Sequence, residues 1–131
     1  MSILTAIHAR WDASATLIAL LPSSQFVTGI RGDGTDHVPL VMLERQAETK
    51  GWTNSKPLYT TSIKLTLWVR KHVDGENIKA AIEDQFDNAH WETGLVTVTK
   101  CRIANSFELA DPDDDTIWQF HFDLETDHHN E

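Results

Sequence analysis

The residues best suited to chemistry in this sequence are an aspartate tract, a set of histidines and a single thiol. Asp111, Asp113, Asp114 and Asp115 crowd into five positions around Pro112, and a hard cation such as calcium wants several carboxylate oxygens that close together. A twelve-residue calcium loop beginning at Asp111 would need glycine where Thr116 stands and a bidentate glutamate where Phe122 stands. The tract therefore reads as a solvated turn between two strands. Seven histidines are present, but His8, His37, His72, His90 and His121 are scattered, and only His128 and His129 adjoin. None has zinc-ligand spacing to another or to Cys101, so no metal site is expected. Cys101 is the only cysteine, which excludes an intrachain disulfide and fits a reducing setting.

Catalytic motifs are missing as well. No glycine-x-serine-x-glycine elbow occurs, and Gly29-Ile30-Arg31-Gly32-Asp33-Gly34 lacks the Lys-Ser/Thr ending of a phosphate loop. It reads as a tight turn. Neither a catalytic residue nor a cofactor is expected, and the chain is not read as an enzyme. More telling are two tryptophans placed where no core demands them: Trp52 in a polar stretch, and Trp68 opposite the apolar face of its strand. Exposed tryptophan is costly for solubility and enriched at interface anchors. Trp52 and Trp68, with Asp113, Asp114 and Asp115, are the candidate interface residues; the alternative for Trp68 is packing beneath a covered second face.

The elements that must position these residues follow from periodicity. Leu4, Ile7, Trp11, Ala15 and Ile18 recur at three and four, predicting one amphipathic helix to Leu21, ended by Pro22. Strands are predicted over 25–30 and 38–45, with the polar stretch Glu48 to Lys56 as a long loop or arm. Tyr59 to Arg70 alternates cleanly, with Ile63, Leu65, Leu67 and Val69 on one face. A second helix carries Ile78, Ala81, Ile82, Phe86 and Ala89 on one stripe, and Gly94 closes that region. Leu95 to Leu109 predicts a strand bent near Ala104-Asn105. Trp118, Phe120, Phe122 and Leu124 alternate in the last strand, with His121 facing outward and the tail from Asp127 frayed. The order is α-β-β-β-α-β-β: an α+β domain, 1–131, with an antiparallel or mixed sheet and two helices packed on one face.

At 131 residues, 40% of them hydrophobic, the chain has apolar material for a single core. Its net charge of −9 repels phosphate backbones, so direct nucleic-acid binding is disfavoured. His8, Arg10, Trp11 and Asp12 interrupt the first apolar segment, and no membrane span or signal peptide is expected.

The run Ile3 to Leu21, then Val38-Pro39-Leu40-Val41, the strand Ile63 to Val69 ending in Arg70-Lys71, and the helix Ile78 to Phe86 together resemble the tail-completion and tail-terminator proteins of long-tailed bacteriophages and prophages. The likeness spans most of the chain. It implies a virion structural protein made in the bacterial cytoplasm: a homo-oligomeric ring, commonly of six subunits, that caps the tail tube and meets head-connector proteins. In that family the long loop between the middle strands reaches outward or along the tube, which would suit Glu48 to Lys56. Two other classes fit the same residues: a small α+β domain that binds or transforms a ligand between sheet and helices, and an acidic adaptor for a basic partner.

Overall fold

The computed structural model describes residues 2–28, 38–53, 56–94, 96–112 and 115–130. Among them the chain forms helices α1 (Ile3–Ala13), α2 (Ala15–Leu20) and α3 (His72–Phe86), a 3-10 turn at Ser23–Gln25, and six strands. The strands are β1 (Phe26–Thr28), β2 (Leu40–Thr53), β3 (Lys56–Val69), β4 (Ala89–Thr93), β5 (Val96–Ala110) and β6 (Trp118–Asn130). The sheet order is β1-β2-β3-β6-β5-β4; β1 runs parallel to β2 and every other pair is antiparallel. The fold is α+β and mostly β.

The single N-terminal helix expected to run to Leu21 is two helices. Ser14 makes the break: its N–H caps the Trp11 carbonyl, and its hydroxyl accepts from Leu17 N–H at 3.2 Å, so one residue ends α1 and begins α2. Serine competes this way for backbone groups that an alanine would leave to the helix. Trp11 is fully buried and donates its indole N–H to the Leu21 carbonyl at 3.1 Å, which folds α2 back onto α1.

Alternation gives the sheet two unlike faces. On the face that meets the helices, Val41, Leu43, Ile63, Leu65, Leu67, Phe120, Phe122 and Leu124 join Ile3, Ile7, Trp11, Leu17, Ile78, Ile82 and Phe86 in one core. Burying each large apolar side chain contributes about 1.5–3 kcal/mol, so this seam dominates the stability. The far face carries a small second cluster of Leu40, Met42, Trp68 and Ile117. Of the two places open to Trp68, it takes the packed one: it is 8% exposed, its ring taken into that cluster. His121, expected outward, is 8% exposed and stacked on Phe107 at 4.6 Å.

Three further expectations are corrected. Glu48 to Lys56 is neither loop nor limp arm: β2 stays paired with β3 from Leu40↔Trp68 down to Thr53↔Lys56, through one bulge between Arg45 and Ala47. Ala89, assigned to a helix stripe, opens the unforeseen strand β4, because Asp87 N–H caps Glu83 and Asn88 takes the left-handed conformation (φ 55°) that asparagine tolerates. The tail is not frayed: β6 runs between β3 and β5 as far as Val96↔Asn130, and His128 is fully buried. The bend expected near Ala104-Asn105 is a register shift between Ile103 and Asn105. Gly94 turns β4 into β5 at φ 54°. The expected Arg-Gly-Asp turn, His37, Asp113 and Asp114 lie outside the described residues.

Candidate assembly interface

A polar cluster sits where the β2–β3 hairpin meets the end of β6. The Thr61 hydroxyl donates to Glu48 Oε1 at 2.9 Å and shares a 2.8 Å bond with His128 Nε2, while Tyr59 stacks on the imidazole at 5.5 Å between centroids. Thr126 donates to the Thr61 carbonyl at 3.1 Å, Thr60 to Asp127 at 2.9 Å, and His129 Nδ1 to the Pro57 carbonyl at 2.9 Å. Threonine, histidine and carboxylate invite comparison with a nucleophilic triad, but the proton count runs the other way. Thr61 has one hydroxyl proton, and Glu48 accepts it. His128 must therefore donate its Nε2–H to Thr61 oxygen, whereas an activating base would accept from that oxygen. Thr61 is also fully buried. The cluster clamps the hairpin to β6.

A hollow of about 410 Å³ lies among Leu20, Pro39, Val69 and Ile78, with Arg70, Lys71 and Asp74 as its charged lining. Among the described residues its lining includes no histidine or cysteine and no carboxylate pair for acid–base work. Among the described residues no three metal-ligating side chains converge. Cys101 is buried under the helices, and burial pushes its thiol up to about 12, with nearby Arg10 opposing and Asp87 adding. Such a thiol is inert at neutral pH. Among the described residues no helix is long and apolar enough to cross a membrane.

Surface, not cleft, is where the unusual features lie. Trp52 is 67% exposed near the tip of the hairpin, with the Lys50 ammonium 5.2 Å from its ring. Asp115 is exposed in the turn before β6, and Asp111 braces that turn: it is buried, its N–H bonds the Ile117 carbonyl at 2.9 Å, and its carboxylate accepts from Gln119 at 2.8 Å. The structure does not bring Trp52, Trp68 and Asp115 into one patch; they occupy the hairpin tip, the far face and a strand-end turn.

Sequence reasoning missed the two backbone edges. β1 covers β2 only along Val41–Leu43, and β4 covers β5 only as far as Cys101. From Glu44 to Thr53, and from Arg102 to Ala110, no strand lies on the outer side among the described residues. One edge donor is covered: Ile103 N–H bonds Asp87 Oδ1 at 3.0 Å. Phe107 (47%) and Leu109 (37%) stand exposed on the β5 segment. Long bare edges are templates for another chain.

No protein-family model matches the chain, and no curated protein matches it in sequence. Its fold is similar to that of a chain in a structure titled as the virion of a native gene transfer agent (GTA) particle. The match has a TM-score of 0.75 at 10% identity and covers 95% of this chain and 92% of that one. At that identity the likeness is one of fold.

Proposed function

We propose that this chain is a structural subunit of a phage-like virion, acting in the tail as a completion or terminator protein that closes as a ring between tail tube and head. One observation carries the reading: the fold matches a chain of a gene transfer agent virion across nearly the whole length of both. The surface agrees in kind, with strand edges left bare among the described residues and an exposed Trp52. A net charge of −9 suits a lumen through which DNA passes without being gripped. In this role Trp52 is a contact anchor, and Asp113, Asp114 and Asp115 face the lumen or a neighbour. Synthesis is in the bacterial cytoplasm, and the partners are further copies of the chain, tube subunits and head-connector proteins.

Two measurements test the role. Purified particles from cells carrying the gene should contain the chain by mass spectrometry, and deleting the gene should leave tails of uncontrolled length or heads without tails. A chain absent from particles whose assembly is normal without it would end the proposal. The ligand-binding alternative would gain if a thermal-shift screen found one metabolite filling the hollow beside Leu20 and Ile78.

A further inference from the structure

We propose that the bare edge of β5 over 105–110 takes the bare edge of β2 over 48–53 from a second copy. The strands run antiparallel, in the register that sets Lys50 of one copy opposite Glu108 of the next. This deepens the ring reading and rests on it for its setting.

The two edges lie at opposite ends of opposite sides of the sheet, and in this register six residues of each meet. Because β1 shields β2 near Val41–Leu43 and β4 shields β5 near Val96–Cys101, the open halves are staggered. Neither half contains proline, so both can supply ladder hydrogen bonds.

Chemistry selects the register. Continuing the pleat from copy to copy keeps residues that share a face together, and a slip of one residue would turn every side chain to the wrong side. Lys50 pairs with Tyr59 and Glu108 with Phe120, which places both on the helix face, where the part-exposed Glu108 carboxylate also bonds His72 Nε2 at 3.0 Å. Slipping by two residues one way sets Glu48 against Glu108, a like-charge pair that destabilises a ladder. Slipping the other way loses the ion pair to Trp52. In the chosen register Gly51 lies opposite Phe107 on the far face. A Cβ at Gly51 would meet only the Leu58 carbonyl at 3.8 Å, so the exposed Phe107 ring finds open space above the glycine.

The register also sets the stagger between copies. Across the sheet Lys50 is level with His128, through Tyr59, and Glu108 is level with Phe120. Those two residues are eight apart on β6, so each added copy is displaced by ~26 Å along the strands at ~3.3 Å per residue.

The test is a paired cysteine. Lys50→Cys and Glu108→Cys in one chain are too far apart to bridge within it, since two strands and that stagger separate them. Cys101 is buried and does not compete. Oxidation of the concentrated double variant should give a covalent ladder on a non-reducing gel, absent from either single variant. Independently, Lys50→Glu should raise the concentration needed for assembly by tenfold or more, and adding Glu108→Lys should restore it, with circular dichroism reporting an unchanged fold. Wild-type rings with no ladder and no effect of charge reversal would overturn the edge pairing and leave the ring intact. A chain that stays monomeric and unlinked at every concentration overturns the pairing, while the virion role is judged separately by its presence in particles.

Discussion

Gly75 in the first turns of α3 lies flat against the Phe120 ring of β6, so close that a methyl group there would overlap three ring carbons. Helix propensity alone says that alanine should gain about 1 kcal/mol over glycine inside a helix. The overlap should reverse that sign, because the ring is fully enclosed and overpacking costs about 1–3 kcal/mol. Gly75→Ala is expected to lower the urea midpoint; a raised midpoint would mean that α3 can lift off the sheet.

Trp11→Phe should cost about 1–2 kcal/mol. The substitution keeps an aromatic ring against Phe26, now 4.5 Å away between centroids, but removes the N–H that satisfies the Leu21 carbonyl. The same denaturation series measures it, with Trp52→Phe as the exposed control.

Cys101 ties stability to alkaline pH. In the unfolded chain its thiol titrates near the ordinary value of 9.0, while in the fold burial holds it up to about 12. A raised folded value means that the contribution is whole below about pH 9 and drains away as pH rises from there towards 12. Cys101→Ala should flatten the fall in stability across that window. In the native protein the thiol should resist a disulfide reagent at pH 8 and react on unfolding.

His121 works at the acid end. Burial is the main force lowering its affinity for a proton; Lys64 adds to it and Asp123 opposes. With the folded value below the unfolded 6.5, this histidine contributes stability above pH 6.5 that is lost as pH falls through the folded value. His121→Phe keeps the stack on Phe107 and should narrow the gap between urea midpoints at pH 7.5 and 5.5. His8 is lowered by burial too, against Asp12, and would supply the remaining gap.

Trp52→Ala should leave the folded monomer within about 0.5 kcal/mol of wild type, since two thirds of the side chain meets solvent. If Trp52 anchors a subunit contact, light scattering should show a smaller mass at equal concentration. An unchanged mass would remove it from the interface.

Much of this architecture was legible in the sequence because burial writes a period. Ile63, Leu65, Leu67 and Val69 alternate beneath the helices, and Ile78, Ile82 and Phe86 sit on one helical stripe. The failures came where local chemistry or distant pairing overrides that signal. Ser14 splits a continuous apolar stripe with one hydroxyl. Polar Glu48 to Thr53 reads as a loop because its ladder to β3 uses the backbone, which no side-chain pattern reports. His128 looks like part of a ragged tail until Thr61 and Tyr59 arrive from far away in the chain. The candidate interface was visible only as Trp52; the bare edges follow from where β1 and β4 stop, and that is a property of register.

β6, the last strand in chain order, occupies an inner place in the sheet, between β3 and β5. During synthesis the two hairpins that flank it must therefore wait, each with a naked inner border, until the final segment slides between them. Removing that segment would not trim the protein; it would leave two unjoined sheetlets, and a ribosome stalled before Trp118 would hold a nascent chain prone to sticking to its neighbours.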